Sequence, residues 1–216
     1  MALASASSSP ARRKSGDTRA RVLEVARYLF ITRGVDAVSY GDIAKEVGST
    51  RANLHYHFGN KSELVKEVFQ DTFEEVRATL DTIWLKPGLS LEDRIDLMFE
   101  DARSRFEEFN EPGDARTPWS LSSRVRFDFS AVDTEVVEGI GEMSRYFEEC
   151  VTHAVQLAIG SGEFRSDTPV RDVVLTITPL WYFASPITQF SGIKRLRNHY
   201  EATKRLIRAA YGTRSG

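Results

Sequence analysis

Cysteine is almost absent from this sequence. Cys150 is the only one in 216 residues, so no disulfide can close within the chain and a cysteine-rich metal cluster is excluded. A reducing compartment, the cytoplasm, is the expected location. Histidine is scarce as well. His55 and His57 stand two apart, which on a helix turns them in different directions, and no cysteine or further histidine nearby completes a metal set. No metal or cofactor is therefore expected. His153 and His199 are isolated and read as ordinary satisfied or exposed histidines. The first nine residues lack an apolar stretch of signal-peptide length, and the positive charges follow them rather than precede them. The longest uncharged run, Val173 to Ile193, has 21 residues, about the length that spans a bilayer. Thr176, Thr178, Ser185, Thr188, Gln189, Ser191, Pro179 and Pro186 interrupt it, so it reads as a helix buried in a core or dimer interface, and no membrane partner is expected.

Strand signals and catalytic motifs are missing too. No run alternates with period two for long enough to make a strand. Gly139 to Gly141 lacks both a preceding strand and a third glycine, so it is no nucleotide-binding loop, although it would let two helices approach closely. Ser, His and Asp residues are plentiful, but none sits in a nucleophile elbow. An enzyme is not expected.

What the chain does contain is an ordinary globular composition, 41% hydrophobic and 28% charged, with an uneven charge distribution. Residues 1 to 61 hold ten Lys/Arg against five Asp/Glu, while the remaining 155 hold 19 against 26. A basic head on an acidic body implies that only the head meets a polyanion.

Helical periodicity runs through nearly the whole chain. Residues 1–16, rich in Ala and Ser, read as a flexible basic arm. Arg12, Arg13 and Lys14 would there either follow a DNA groove or remain in solvent. A first helix spans about Thr18 to Arg33, with Val22, Leu23, Ala26, Leu29 and Phe30 on one face and Gly34 as its end. A short helix follows from Tyr40 to Val47, opened by Ser39 and Asp42 in a capping box and closed by Gly48. Ser49 or Thr50 caps another short helix through His57, and Gly59 breaks it. A long helix from Asn60 to Trp84 is stopped by Pro87 and Gly88. Further helices are expected at Leu91–Phe109, Thr117–Phe129, Val132–Ile159, Val170–Phe190 and Leu196–Tyr211. The fold class is all-α, divided into the arm (1–16), a helix-turn-helix domain (17–62), a connecting helix (63–84) and a C-terminal helical domain (85–216).

Two short helices joined by a glycine turn, the second opening with polar residues, form the arrangement that lays a helix in a major groove. Ile43, Val47 and Leu54 are spaced to pack these helices on the first, and Ala44 and Gly48 are small at the crossing. Thr50, Arg51 and Asn53 then lie at the end expected to meet base edges, where Arg pairs with guanine and Asn with adenine. Ser39, Tyr40, His55, Tyr56, His57 and Lys61 surround that end and would contact DNA backbone on either side. Lys61 also lies in the first turn of the long helix, whose free amides favour an anion.

Residues 18–69, TRARVLEVARYLFITRGVDAVSYGDIAKEVGSTRANLHYHFGNKSELVKEVF, resemble the DNA-binding domain of the Tet repressor (TetR) family, most specifically in NLHYHFGNKSEL after IAKEVG. The family usually has Tyr where this chain has His55. The resemblance implies base reading by Arg51 and Asn53, a recognition helix carrying His55, Tyr56 and His57, and a phosphate held by Lys61. It further implies a homodimer on a palindromic double-stranded DNA operator, and a C-terminal half that binds a small-molecule effector and dimerises through a four-helix bundle. Beyond residue 85 the likeness is one of length and helicity alone.

In that half, Phe106, Trp119, Phe127, Phe147, Trp181 and Tyr182 either line a cavity or form solid core. If a pocket exists, Arg124, Thr178, Tyr182 and Gln189 are the polar groups that would orient an effector. Pro179 and Pro186 each remove a backbone hydrogen bond and free a carbonyl. The expected function is a ligand-responsive DNA-binding regulator, a repressor. The alternative is a DNA-binding protein whose C-terminal domain is a partner-binding module or a cryptic enzyme.

Overall fold

A computed structural model describes residues 10–111, 116–126 and 129–213, with side chains from residue 18 onward. Among these residues the chain is helical, and its one β feature is an isolated bridge between Phe164 and Gly212. It divides into two units, Met1–Gln70 and Asp71–Gly216.

The first unit contains α1 (Pro10–Arg33), α2 (Tyr40–Val47), α3 (Arg51–Phe58) and the start of α4 (Lys61–Leu80). Helix α1 begins earlier than its apolar period suggests. Pro10 suits a first helical turn, and Ala11, Arg12, Arg13 and Lys14 are good helix formers, so the helix extends into the expected arm. Residues 1–9 of that arm lie outside the described residues.

The short helices are set by their ends. Ser39 Oγ accepts from the Asp42 amide, while Asp42 Oδ2 accepts from the Ser39 amide at 2.8 Å, a complete capping box. Those bonds hold the Asp42 carboxyl below its usual pKa. Gly48 closes α2 in the left-handed region, φ 67° and ψ 37°, a conformation that disfavours a side chain. Thr50 then caps α3 by accepting from the Asn53 amide, and Asn60 Oδ1 accepts from the Glu63 amide to start α4. Val22, Ala26, Leu29 and Phe30 of α1, Ile43 and Ala44 of α2, Leu54 and Phe58 of α3, and Leu64 and Val68 of α4 are all buried. Each large apolar side chain buried this way contributes about 1.5–3 kcal/mol.

The second unit holds the remainder of α4, a π-helical turn (Asp81–Leu85), α5 (Leu91–Phe109), α6 (Leu121–Arg126), a 3₁₀ turn (Phe129–Ala131), α7 (Thr134–Gly160), α8 (Val170–Tyr182) and α9 (Ala184–Tyr211). Helix α7 packs on α8 and on the π turn, α5 packs on α9, and α8 packs on α9. Gly139 of α7 leaves room for the Phe73 ring of α4, because a Cβ there would stand 2.6 Å from it. Arg94 is fully buried and closes the end of the π turn. Its guanidinium donates to the carbonyls of Ile83 (2.9 Å), Trp84 (2.7 Å), Lys86 (2.7 Å) and Leu89 (3.2 Å). Cys150 is buried and free, and burial pushes its thiol pKa up.

The uncharged run 173–193 is not one kinked helix, as its sequence suggests, but two. Helix α8 ends at Tyr182, Phe183 leaves helical geometry at φ −109° and ψ 9°, and α9 restarts at Ala184. Pro186 is the cause, since it cannot donate to the Tyr182 carbonyl and its ring crowds that oxygen. The freed carbonyl accepts from Ser123 Oγ at 3.3 Å rather than standing open. Pro179 is tolerated inside α8. Helix α9 also starts before the expected Leu196, with a bend at Gly192, φ 71°. Among the described residues no helix is long and apolar enough to cross a membrane.

Candidate nucleic-acid interface

Helix α3 is buried along one line and bare along the other. Leu54 and Phe58, one turn apart, point into the first unit, whereas Arg51, Ala52, His55 and Tyr56 are exposed. Tyr56 is 84% exposed, so no packing within the chain accounts for an aromatic there. The small side chain of Ala52 lies inside this bare stripe.

The sequence-predicted residues separate into those that face outward and those that hold the motif together. Thr50 caps α3 through its hydroxyl and is exposed. Asn53 is half-buried, and its Nδ2 donates to Ser49 Oγ at 2.9 Å. Arg51 extends back along α2 against Gly41, and it enters no hydrogen bond or ion pair among the described residues. His57 is half-buried, with its ring edge-on to Tyr56 and Phe58. Ser39 is committed to the α2 capping box.

Tyr40 differs from expectation. It is buried, and its hydroxyl donates to the Asn60 carbonyl at 2.7 Å, with the Gly59 carbonyl at 3.4 Å. Burial, with Glu67 and Glu63 nearby, pushes its pKa up to about 12. It ties α2 to the α3–α4 turn. His55 works at the same turn. Its Nδ1 lies 2.9 Å from the Gly59 carbonyl and its ring is edge-on to Tyr40 at 4.6 Å. Lys61 is half-buried at the start of α4, with Nζ 3.4 Å from the Asp36 carbonyl. Arg19, which sequence reasoning passes over, ion-pairs with Glu67 and covers the Phe58 ring at 5.2 Å, joining α1 to α3 and α4. Its place on the helical period of α1 carries no sign of that role.

A sequence profile for bacterial regulatory proteins of the tetR family matches residues 22–68, the stretch that builds this motif. Residues 22–68 thus form a DNA-binding domain of the TetR type. Over 59 residues the chain is 39% identical to the regulator AcrR of Shigella flexneri, a match covering 27% of each protein. The first curated relatives are thus matched over little more than a quarter of their length. A longer match, 22% identical over 178 residues, covers 80% of this chain and 86% of IcaR, the negative transcriptional regulator of the icaADBC biofilm operon in Staphylococcus epidermidis. Among solved structures, a TetR regulator from Chloroflexus aurantiacus has a TM-score of 0.74 at 21% identity, covering 93% of this chain and 98% of its own. A regulator from Saccharomonospora viridis in complex with choline has a TM-score of 0.72 at 18% identity, covering 92% and 100%. At those identities the structures establish a shared TetR fold.

The TetR-type C-terminal unit places the expected pocket residues in two groups. Phe147, fully buried, is central to one. Its ring centroid lies 5.7 Å from Trp84, 4.9 Å from Trp181 and 6.1 Å from Tyr182. The second joins Trp119 to α9. Its Nε1 donates to Thr188 Oγ1 at 2.8 Å and its amide to Ser185 Oγ, which also accepts from Gln189 Nε2. Phe106 and Thr178 are buried, and Phe127 lies outside the described residues.

Arg124 is exposed, and the arginine on the aromatic group is Arg126. Arg126 lies over the Tyr182 ring at 4.6 Å and donates to Ser144 Oγ at 3.2 Å, and burial lowers its pKa. The Tyr182 hydroxyl faces the Ser144 carbonyl and Glu148 Oε1, at 3.3 and 3.5 Å. Ser144, Phe147, Glu148 and Val151 follow an i, i+3, i+4, i+7 pattern, which could have drawn Ser144 and Glu148 onto the inner face of α7 from sequence.

Proposed function

We propose that this chain is a homodimeric, DNA-binding transcriptional regulator that represses palindromic operators and is released by a small-molecule effector. The observation that carries this reading is the bare stripe of α3. A helix held by Leu54 and Phe58 offers Arg51, Ala52 and Tyr56 to solvent, with Thr50 and Asn53 at its opening turn. Arg51 is the main base-reading group and Asn53 its neighbour, while Tyr56, His57 and Lys61 contact backbone. Two copies related by a two-fold axis would present two such helices about 34–36 Å apart, matching half-sites one helical turn apart.

Dimerisation is assigned to α8 and α9. Leu175 is 50% and Phe190 90% exposed, with Phe183 and Leu206 also bare, an apolar surface on the two helices that share the uncharged run 173–193. The effector site is assigned to the Phe147, Trp181 and Tyr182 cluster with Arg126 and Glu148, where aromatic walls meet half-buried polar groups. The choline held by a protein of the same fold supports a small-molecule role for this unit. The only covalent path between the two units runs along α4, so an effector that shifts α4 would alter half-site spacing. Coupling of about 1–3 kcal/mol changes operator affinity about 5- to 150-fold. A regulator of this kind acts in the cytoplasm.

Selection of bound sequences from a randomised duplex pool tests the reading directly. Enrichment of a palindrome is the expected result. Equal retention of all duplexes at moderate ionic strength would overturn it.

A further inference from the structure

Gly41 occupies the first turn of α2, where alanine is the better helix former. Its backbone does not demand glycine, since Gly41 is not among the residues with positive φ, unlike Gly48 and Gly59 at 67° and 66°. Space is what excludes a side chain. A Cβ on Gly41 would stand 2.4 Å from Nη2, 2.7 Å from Nε and 2.9 Å from Cζ of Arg51. Because both nitrogens stand nearer than the Cζ between them, the planar group meets Gly41 with its Nε–Nη2 edge, and Nη1 points away from α2. A long arginine otherwise samples many rotamers, and ordering it costs entropy at the moment of binding. Here α2 supplies a stop for it, and with no hydrogen bond or ion pair at Arg51 among the described residues, the Nη1 side of the guanidinium, turned away from Gly41, is free for a partner.

We propose that Gly41 is a specificity-determining positioning residue, whose missing side chain seats the Arg51 guanidinium against α2 and aims it at one base pair. The proposal rests on the assignment of α3 as the DNA-reading helix. Gly41 itself touches no base. It acts through Arg51, and its effect is on discrimination between sequences rather than on general affinity for DNA.

The test uses the full chain, the sequence it enriches from a randomised duplex pool, and the same duplex changed at each base pair in turn. Gly41→Ala should remain folded, with a melting temperature equal to or above that of the parent, because only a flexible side chain must move. At the base pair whose readout Arg51→Ala abolishes, Gly41→Ala should lose about 5- to 150-fold of discrimination, the range of one bidentate arginine contact. Affinity for random duplex and its salt dependence should stay unchanged, since the charge remains. In an Arg51→Ala background the same glycine substitution should be silent. Unchanged discrimination in Gly41→Ala, an effect that persists without Arg51, or a failure to fold would each overturn the proposal. An absence of sequence preference in the parent protein would instead overturn the DNA-reading assignment beneath it.

Discussion

Replacing Arg94 with methionine removes the guanidinium that gathers four carbonyls at the end of the π turn, at 2.7–3.2 Å. The carbonyls of Lys86 and Leu89 lie where Lys86 is exposed and Leu89 half-buried, so water can replace their donor. Those of Ile83 and Trp84 lie in the core, and each would be left without that bond at a cost of about 1–3 kcal/mol. Methionine keeps much of the packing, and removing the guanidinium also removes its own desolvation penalty, visible in its lowered pKa. The gross loss worked from the two buried acceptors is about 2–6 kcal/mol, and the relieved desolvation makes this an upper bound on the net. Urea unfolding, followed by far-UV circular dichroism at one fixed protein concentration, reads this directly. With a slope of about 1–3 kcal/mol per molar, a loss near 4 kcal/mol lowers the midpoint by more than about 1 M. Arg94→Lys should fall between, because an ammonium keeps the charge but cannot span the carbonyls with a planar fork. A midpoint for Arg94→Met within about 0.3 M of the parent would refute the view that this arginine closes the helix end.

Other consequences can be measured separately. Lys61→Ala should weaken binding to all duplexes alike and reduce the slope of log affinity against log salt by about 0.9, whereas Arg51→Ala should cost about 1–3 kcal/mol mainly at the preferred site. Anisotropy titrations at several salt concentrations distinguish them, and identical behaviour of the two variants would contradict their assigned roles. Because the capping bonds from Ser39 depress the Asp42 pKa below its usual 3.8, their stabilisation is complete above that value and is lost as pH falls through the depressed one. The melting-temperature gap between the parent and Ser39→Ala should accordingly be widest near neutral pH and shrink in acid, and a gap that widens below pH ~4 would reverse the reasoning. Phe190→Ala removes about 1.5–3 kcal/mol of apolar burial per copy if α9 forms the dimer face, weakening association at least about 100-fold, which sedimentation equilibrium would detect. Unaltered association would move the interface elsewhere.

Features held within a few residues are legible from the chain alone. The box between Ser39 and Asp42, the cap from Thr50 to Asn53 and the turn at Gly48 each close over two to four residues, and all three stand where the sequence indicates. The inner line of Leu54 and Phe58 also follows from period alone. Tyr40 turns inward, against the outward role its position suggests, because its hydroxyl partner is 20 residues away at Asn60. Arg126, rather than Arg124, meets the aromatic cluster because only the packing of α8 against α7 brings the Tyr182 ring and Ser144 to it.

Local hydrogen bonding and apolar periodicity thus settled the helical class and the helix-turn-helix motif, since these depend on neighbours along the chain. Tertiary packing decided which arginine lies over Tyr182, that the uncharged run breaks at Phe183, and that Arg51 rests on Gly41. Such choices depend on which distant surfaces share space, and that information is created only when the helices pack.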